Sequence, residues 1–175
     1  MSAVTCIRSE ELESPGLLRR MLDEAFDGGF RDADWHHARG GWHFLVAEAG
    51  APVAHAAVVE RTLVLDDWEV RTAYVEAVAT HADHRRRGHG SAVMRSVGAF
   101  VEAGYRLGGL SAGIPAFYER FGWQRWCGST FVRQGDRLER TPEDDGTVMV
   151  LPTSTSAAFD RTGPIHCSWR PGEVW

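Results

Sequence analysis

The stretch that decides the fold is Arg85-Arg86-Arg87-Gly88-His89-Gly90. It follows a strand-like run, Tyr74 to Ala79, and opens a helix-periodic one, Ser91 to Ala103, whose Val93, Val97, Phe100 and Val101 share one face and which Gly104 ends. Two glycines let the chain turn tightly, so that successive N–H groups can converge on one anion. The helix that begins there adds its unpaired N–H groups and the positive end of its dipole. Three arginines add charge and forked donors suited to phosphate oxygens. The expected guest carries a diphosphate. A dinucleotide fingerprint would need a glycine where Val93 stands, and no Gly-Lys-Ser/Thr run supplies a P-loop. What remains is the spacing Arg-x-x-Gly-x-Gly at Arg85, Gly88 and Gly90. The six residues alone would also serve as a charged surface turn; the strand before and the helix after favour the anion loop.

Outward from the loop, upstream segments alternate as strands. Val4–Arg8 is a short first strand, and Pro15–Phe26 an amphipathic helix through Leu17, Leu18, Met21, Leu22, Ala25 and Phe26. Asp27-Gly28-Gly29 breaks it, and Asp32 caps a second short helix to about Ala38. Trp42–Ala49 and Val53–Leu65 read as strands joined by Gly50-Ala51-Pro52, and Asp66-Asp67 turns the chain into Trp68–Ala79, an antiparallel meander of three. Downstream, Leu107–Ser111 is a strand, Ile114–Arg120 a short helix starting near Pro115, and Trp123–Val132 and Thr147–Leu151 close the sheet. Residues after Pro152 show weak periodicity and read as a tail or cover. The expected class is α/β, a mixed and mostly antiparallel central sheet flanked by helices, in one domain over residues 1–175.

Composition narrows the partners. The formal net charge is -5, which disfavours bulk nucleic-acid binding and permits a cationic small molecule. No apolar run could span a bilayer, and Met1–Gly16 lacks the apolar core of a secretory signal, so no membrane partner is expected. Three scattered cysteines, Cys6, Cys127 and Cys167, suit a reducing cytoplasm and offer no metal spacing. His81, His84 and His89 surround the loop, but no acid nearby in sequence completes a ligand set, so no metal is expected. Nor is there a Gly-x-Ser-x-Gly elbow for serine catalysis.

Several segments carry a closer resemblance. The loop is similar to the pyrophosphate loop of the GNAT N-acetyltransferases. Asp34-Trp35, Tyr74-Val75-Glu76-Ala77-Val78, Thr141-Pro142-Glu143-Asp144-Asp145-Gly146-Thr147-Val148 and Cys167-Ser168-Trp169-Arg170-Pro171-Gly172-Glu173-Val174-Trp175 resemble the aminoglycoside 2′-N-acetyltransferases within them. The resemblance runs from about Leu22 to Trp175 and implies a GNAT fold, acetyl-CoA as cofactor and acetyl transfer to an amino-sugar nitrogen. It implies that Val78, Ala79 and Thr80 run beside the pantetheine arm and that Arg85, Arg86, Arg87, Gly88, His89, Gly90 and Ser91 hold the diphosphate.

Acetyl transfer from a thioester needs a proton acceptor for the amine, a donor for the carbonyl oxygen and help for the leaving thiolate. An alkylamine of pKa near ~10 is free base in only about one molecule in a few thousand at neutral pH, so removing that proton belongs to the barrier. Glu76, an acid among apolar strand residues, is either a salt-bridged strand residue or that acceptor, acting directly or through water; the resemblance points to the acceptor. The Val78 N–H, freed by a kink or bulge, would serve the carbonyl. Tyr118 matches the tyrosine that many GNAT enzymes place beside the thiolate, where the resemblance implies that its phenol acts as acid toward the sulfur or at least contacts it; otherwise it is a core tyrosine with its hydroxyl on a backbone partner. For a polycationic acceptor the candidates are Asp34, Trp35, Glu76, Ala77, Ser111, Asp144, Asp145, Glu173 and Trp175, the last with its carboxylate. The family's well-studied members carry an aspartate in Ala-Phe-x-Gly-Asp-Phe, where this chain has Gly29 in Ala25-Phe26-Asp27-Gly28-Gly29-Phe30; Asp27 or Asp32 would have to substitute. Ile114-Pro115-Ala116-Phe117 departs as well. The acceptor is then an aminoglycoside, with kasugamycin as an alternative to the deoxystreptamine compounds, and the enzyme a possible homodimer. The competing functions are acetylation of a peptide, lysine or polyamine, and a non-catalytic acyl-CoA-binding module.

Overall fold

The computed structural model describes residues 3–156 and 159–175. Residues 1–2 of the expected N-terminus and 157–158 of the expected tail lie outside them. Among the described residues, ten strands and four α-helices follow in chain order: β1 (Thr5–Arg8), α1 (Pro15–Ala25), α2 (Asp32–Ala38), β2 (Trp42–Glu48), β3 (Ala51–Leu65), β4 (Trp68–Thr80), α3 (His89–Gly104), β5 (Leu107–Ser111), α4 (Pro115–Glu119), β6 (Gln124–Arg125), β7 (Thr130–Gln134), β8 (Arg137–Arg140), β9 (Val148–Pro152) and β10 (Ile165–Ser168). The chain forms two compact units, the first running to Val59 and again over Val75–Ala99, the second over Glu60–Tyr74 and from Phe100 on. The hairpin β3–β4 contributes residues to both.

In the first unit β1, β2 and β3 pair antiparallel, with Thr5 opposite Leu45 and Leu45 opposite His55. Ala49 and Gly50, both with positive φ, make the two-residue turn into β3, and Asp66 and Asp67 make the same kind of turn into β4. The expected Gly50-Ala51-Pro52 turn is therefore shorter. Pro52 already lies in β3, where the register shifts between Val46 and Ala47, and its missing N–H is tolerated near a strand end. Helix α1 buries Leu18, Met21 and Leu22 with Phe30, and Trp35, Leu45, Ala77 and Ala79 pack around them. Asp32 is the first residue of α2 rather than its cap; Asp34, two residues on, accepts the Arg31 N–H at 2.8 Å.

In the second unit the strand order is β6-β9-β5-β4-β3-β10-β7-β8. Pairs β4–β5 and β7–β10 are parallel, and β5–β9, β6–β9, β3–β10 and β7–β8 antiparallel. The sheet is mixed and mostly antiparallel, as expected. Two expectations are corrected. Residues after Pro152 are no mere tail, because Ile165–Ser168 enter the sheet between β3 and β7. Trp123–Val132 is not one strand: β6 pairs with β9 and β7 with β10, and Trp126–Ser129 cross from one partner to the other. Gly128 permits the crossing, since a Cβ there would lie 1.9 Å from the Gly163 carbonyl oxygen.

Three polar contacts, the middle one buried, run through the first unit. His43 and His55, both fully buried, sit on diagonal positions of β2 and β3. Ser9 Oγ lies 2.7 Å from His43 Nε2, His43 Nδ1 lies 2.9 Å from His55 Nε2, and His55 Nδ1 lies 2.8 Å from the Ala77 carbonyl oxygen. Ala77 has φ 51 in mid-strand, a left-handed conformation costing a non-glycine residue about 1–2 kcal/mol.

Burial first, and then Arg39 for His43 and the competing His43 ring for His55, pull His55 down to about 3, against the Ala77 hydrogen bond, and His43 to about 4. Both are neutral when folded and gain a proton near ~6.5 when unfolded, so their stabilisation is complete above that value and is lost as pH falls toward those folded values. Thermal melts from pH 7.5 downward should show an acid limb steepening by up to about 1.4 kcal/mol per pH unit per histidine. His55→Asn, with no proton to gain, should flatten that limb; an unaltered limb would contradict the buried neutral pair.

Candidate active site

Helix α3 begins at His89, two residues before the expected Ser91. The Ala92 N–H bonds back to the Gly88 carbonyl at 2.9 Å, so His89, Gly90 and Ser91 form the first turn, whose N–H groups lie outside the helical ladder. Arg86 and Gly88 hold positive φ values of 62 and 86, which bend the loop into an anion-binding concavity. The three arginines divide. Arg85 donates to the carbonyls of Thr80 at 3.2 Å and Ala25 at 3.1 Å, tying the loop to the end of α1. Arg87 lies 3.9 Å from Glu48, and Arg86 is exposed. A donor set of first-turn amides, a left-handed glycine and an exposed guanidinium fits a diphosphate.

Glu48 was invisible to the sequence argument about metals. One carboxylate oxygen lies 3.1 Å from His84 Nδ1 and the other 3.1 Å from His89 Nε2, the three ligand atoms falling within 4.8 Å of one another. The acid missing from the local sequence thus arrives from the end of β2. The same contacts serve as ion pairs that brace the loop when the histidines are protonated.

On β4, Glu76, Ala77 and Val78 are partly buried and the kink falls on Ala77. A strand residue in the left-handed region turns the following N–H out of the regular ladder. The kink at Ala77 is the irregularity expected from sequence beside Val78. Asp34 is occupied at the start of α2, with Arg31 Nε also 3.5 Å away. Trp35 packs in the α1 cluster with Arg19 6.0 Å from its ring centre. Asp32 accepts from Arg19 at 3.0 Å, and Asp27 is a left-handed residue closing α1. A Cβ on Gly29 would lie 3.1 Å from the Phe26 carbonyl oxygen, so this turn has little room for the family's aspartate.

In the second unit the two adjacent aspartates separate. Asp145 accepts from Thr130 N at 3.1 Å and Oγ1 at 2.9 Å and holds Arg140 in a two-point pair, which keeps its carboxyl below the usual range. Asp144 is raised, chiefly by burial and then by its acidic neighbours Glu143, Glu173 and Asp145, with a Thr141 hydrogen bond acting against them. Ser111 Oγ donates to Thr147 Oγ1 at 3.2 Å, and Thr147 Oγ1 to the Asp144 carbonyl at 2.8 Å, so Ser111, Asp144 and Glu173 share one neighbourhood. Trp175 is buried, its indole N–H donating to Thr141 Oγ1 at 3.2 Å. Tyr118 is half-buried between the rings of Phe117 and Trp123, and burial pushes its hydroxyl up to about 12.

A family model described as acetyltransferase (GNAT) domain matches residues 18–126. A curated aminoglycoside 2′-N-acetyltransferase from Mycolicibacterium fortuitum is 47% identical over 161 residues, 90% of this chain and 83% of its own. This chain belongs to the GNAT acetyltransferases, in their aminoglycoside 2′-N-acetyltransferase branch. Solved structures agree on the fold. The GNAT protein YhbS from Escherichia coli, in complex with CoA, has TM-score 0.68 at 14% identity, covering 95% of this chain and 89% of its own. A GNAT acetyltransferase from Brucella melitensis, in complex with acetyl-CoA, has TM-score 0.62 at 15% identity, with 94% and 96% covered. Other solved GNAT chains are far longer: this chain spans about a third of the length of one from Kribbella flavida (TM-score 0.58, 21% identity, covering 73% and 34%).

Within this acetyltransferase, sequence reasoning missed the buried histidine pair, Glu48 and the anchoring role of Asp145. A histidine inside each of two apolar strands was the available signal for the pair. For the aspartates the sequence offered none, because adjacent acids differ only in which way the chain turns them. Asp145→Asn should cost about 1–3 kcal/mol in urea unfolding, since it weakens acceptors for the buried Thr130, whereas Asp144→Asn should leave the midpoint nearly unchanged. Equal effects of the two would remove the distinction.

Proposed function

We propose that this acetyltransferase moves the acetyl group of acetyl-CoA to an amine, in the first place the 2′ amine, of an aminoglycoside, and so confers resistance to it. The observation that carries the reading is the 47% identity, over nine-tenths of the chain, to an enzyme of that name. The whole chain, 1–175, acts as one GNAT domain. Bound acetyl-CoA supplies the activated acetyl group. Its diphosphate is held by Arg86, Gly88, His89, Gly90 and Ser91, with Arg85 and Arg87 shaping the loop, and Val78, Ala79 and Thr80 line its arm.

The chain's own residues perform three tasks. Glu76 accepts the proton that the acceptor amine must lose. The Val78 N–H donates to the carbonyl oxygen as that atom gains negative charge. Tyr118 donates a hydrogen bond to the departing sulfur. A phenol held at about 12 is a far weaker acid than a thiol near ~8.5, so its part is to solvate the thiolate rather than to surrender its proton outright. Asp144 and Glu173, with Ser111 beside them, attract the polycationic sugar; each cation placed there would also restore Asp144 toward its ordinary acidity. The family resemblance extends the same reading to a cytoplasmic enzyme and to pairing of two copies.

A CoA-release assay over deoxystreptamine aminoglycosides and kasugamycin, with the acetylated position located by NMR, tests the reading. Turnover of at least one is expected, and turnover confined to peptides or polyamines would overturn it. Glu76→Gln should lower kcat by about 100-fold or more without weakening acetyl-CoA binding. Conversely, Arg86→Ala and Gly88→Trp should weaken acetyl-CoA in isothermal titration and spare acceptor affinity; the opposite pattern would refute the loop assignment.

A further inference from the structure

The contacts Ser9–His43–His55–Ala77 admit one consistent assignment of protons. Ala77 offers a carbonyl, which only accepts, so His55 Nδ1 carries hydrogen and donates to it at 2.8 Å. His55 Nε2 then accepts, and His43 Nδ1 must donate across 2.9 Å. His43 Nε2 accepts in turn from the Ser9 hydroxyl at 2.7 Å, and that hydroxyl oxygen accepts the Gly40 N–H at 3.0 Å. Every polar atom of this chain is matched, and both rings are neutral and Nδ1-protonated. Both histidines are fully buried and the contact between them is closed to water, while Ser9 and Ala77 at the two ends are partly buried. The far end is fixed as well, since the Ser9 N–H donates to the Gly41 carbonyl at 3.1 Å.

The near end of this chain is the one mid-strand residue of β4 with positive φ, Ala77. It stands between Glu76 and Val78. A residue without glycine's freedom keeps a left-handed conformation only where its surroundings fix it. Here the fixing contact is the imidazole on its carbonyl.

We propose that His55 is a positioning residue for acetyl transfer: by donating Nδ1–H to the Ala77 carbonyl, backed by His43 and Ser9, it holds the kink of β4 that aims the Glu76 carboxylate and the Val78 N–H at the reacting groups. The inference rests on the roles given above to Glu76 and Val78. It adds a residue that touches neither substrate and acts through the backbone.

Two substitutions separate this from a packing role. His55→Asn keeps a side-chain N–H where Nδ1 was, while His55→Gln carries its donor farther out. Asn should retain kcat within about 3-fold, and Gln should lose about 30-fold or more, a sub-ångström misplacement being enough for such losses. Acetyl-CoA affinity, drawn mainly from the loop with Val78–Thr80 along the arm, should stay within about 2-fold in Asn and fall far less than kcat in Gln. Equal kcat in the two variants, or a parallel loss of cofactor affinity, would overturn the proposal. Long-range 1H–15N spectra of the wild-type histidines should show His55 as the neutral Nδ1–H tautomer. Val78 amide exchange should slow in His55→Gln as the kink relaxes into regular pairing. An Nε2–H tautomer, or Val78 exchange the same in both proteins, would equally refute it. These spectra need no acceptor, so they decide the role of His55 even if no aminoglycoside is acetylated, a result that would count against the substrate reading alone.

Discussion

The course of β4 past Glu76 depends on one backbone constraint, the left-handed Ala77. A regular strand gives its N–H groups to its neighbours and alternates its side chains. The proposed acetyl-transfer site calls for neither habit at Glu76 and Val78. The kink breaks both at once, over a single residue. Its cost is small beside the stability of a domain, yet large enough that the position would relax without a specific hold. The hold is a line of three neutral polar groups running back through β3 and β2 to Ser9, just beyond β1. Early strands that look like plain scaffold thereby bear on the chemistry at β4.

The acids of the second unit illustrate a different economy. Asp145 spends its charge on Arg140 and Thr130, fixing the turn before β9. That leaves Asp144 held among like charges, where burial and neighbouring carboxylates raise its proton affinity. One acid of the cluster is therefore compensated by an arginine while Asp144 stays among like charges, which is why the proposed function places the cationic sugar there. Trp175, seated on Thr141, brings the Glu173 segment to the same acids.

Much of this was readable from sequence where period and punctuation are strong. The loop, α1, α3, β2 to β5 and the short α4 after Pro115 follow their apolar spacing within a residue or two. The failures have physical causes. Strand β10 is four residues whose place in the sheet comes from Leu63, Val64 and Leu65 on one side and Phe131 and Val132 on the other, information that local pattern does not hold. The split of β6 from β7 depends on close passage of Gly128 by Gly163, a contact distant along the chain. At the proposed site, Glu76, Tyr118 and the loop were singled out through their motif, and the structure adds their surroundings. The identity of each partner, such as His55 for Ala77 or Arg140 for Asp145, required the fold.

The arginine run carries a last consequence. Of its three cations, one is clasped by main-chain carbonyls of Ala25 and Thr80 and another leans toward Glu48, so the loop presents far less mobile charge than its letters suggest. Neutral carbonyls do not cancel a cation, so Arg85 keeps its charge but holds it in place, and a diphosphate at the proposed loop would meet donors that need little reordering. The gain would be entropic, since side chains already tied down lose little freedom when an anion arrives.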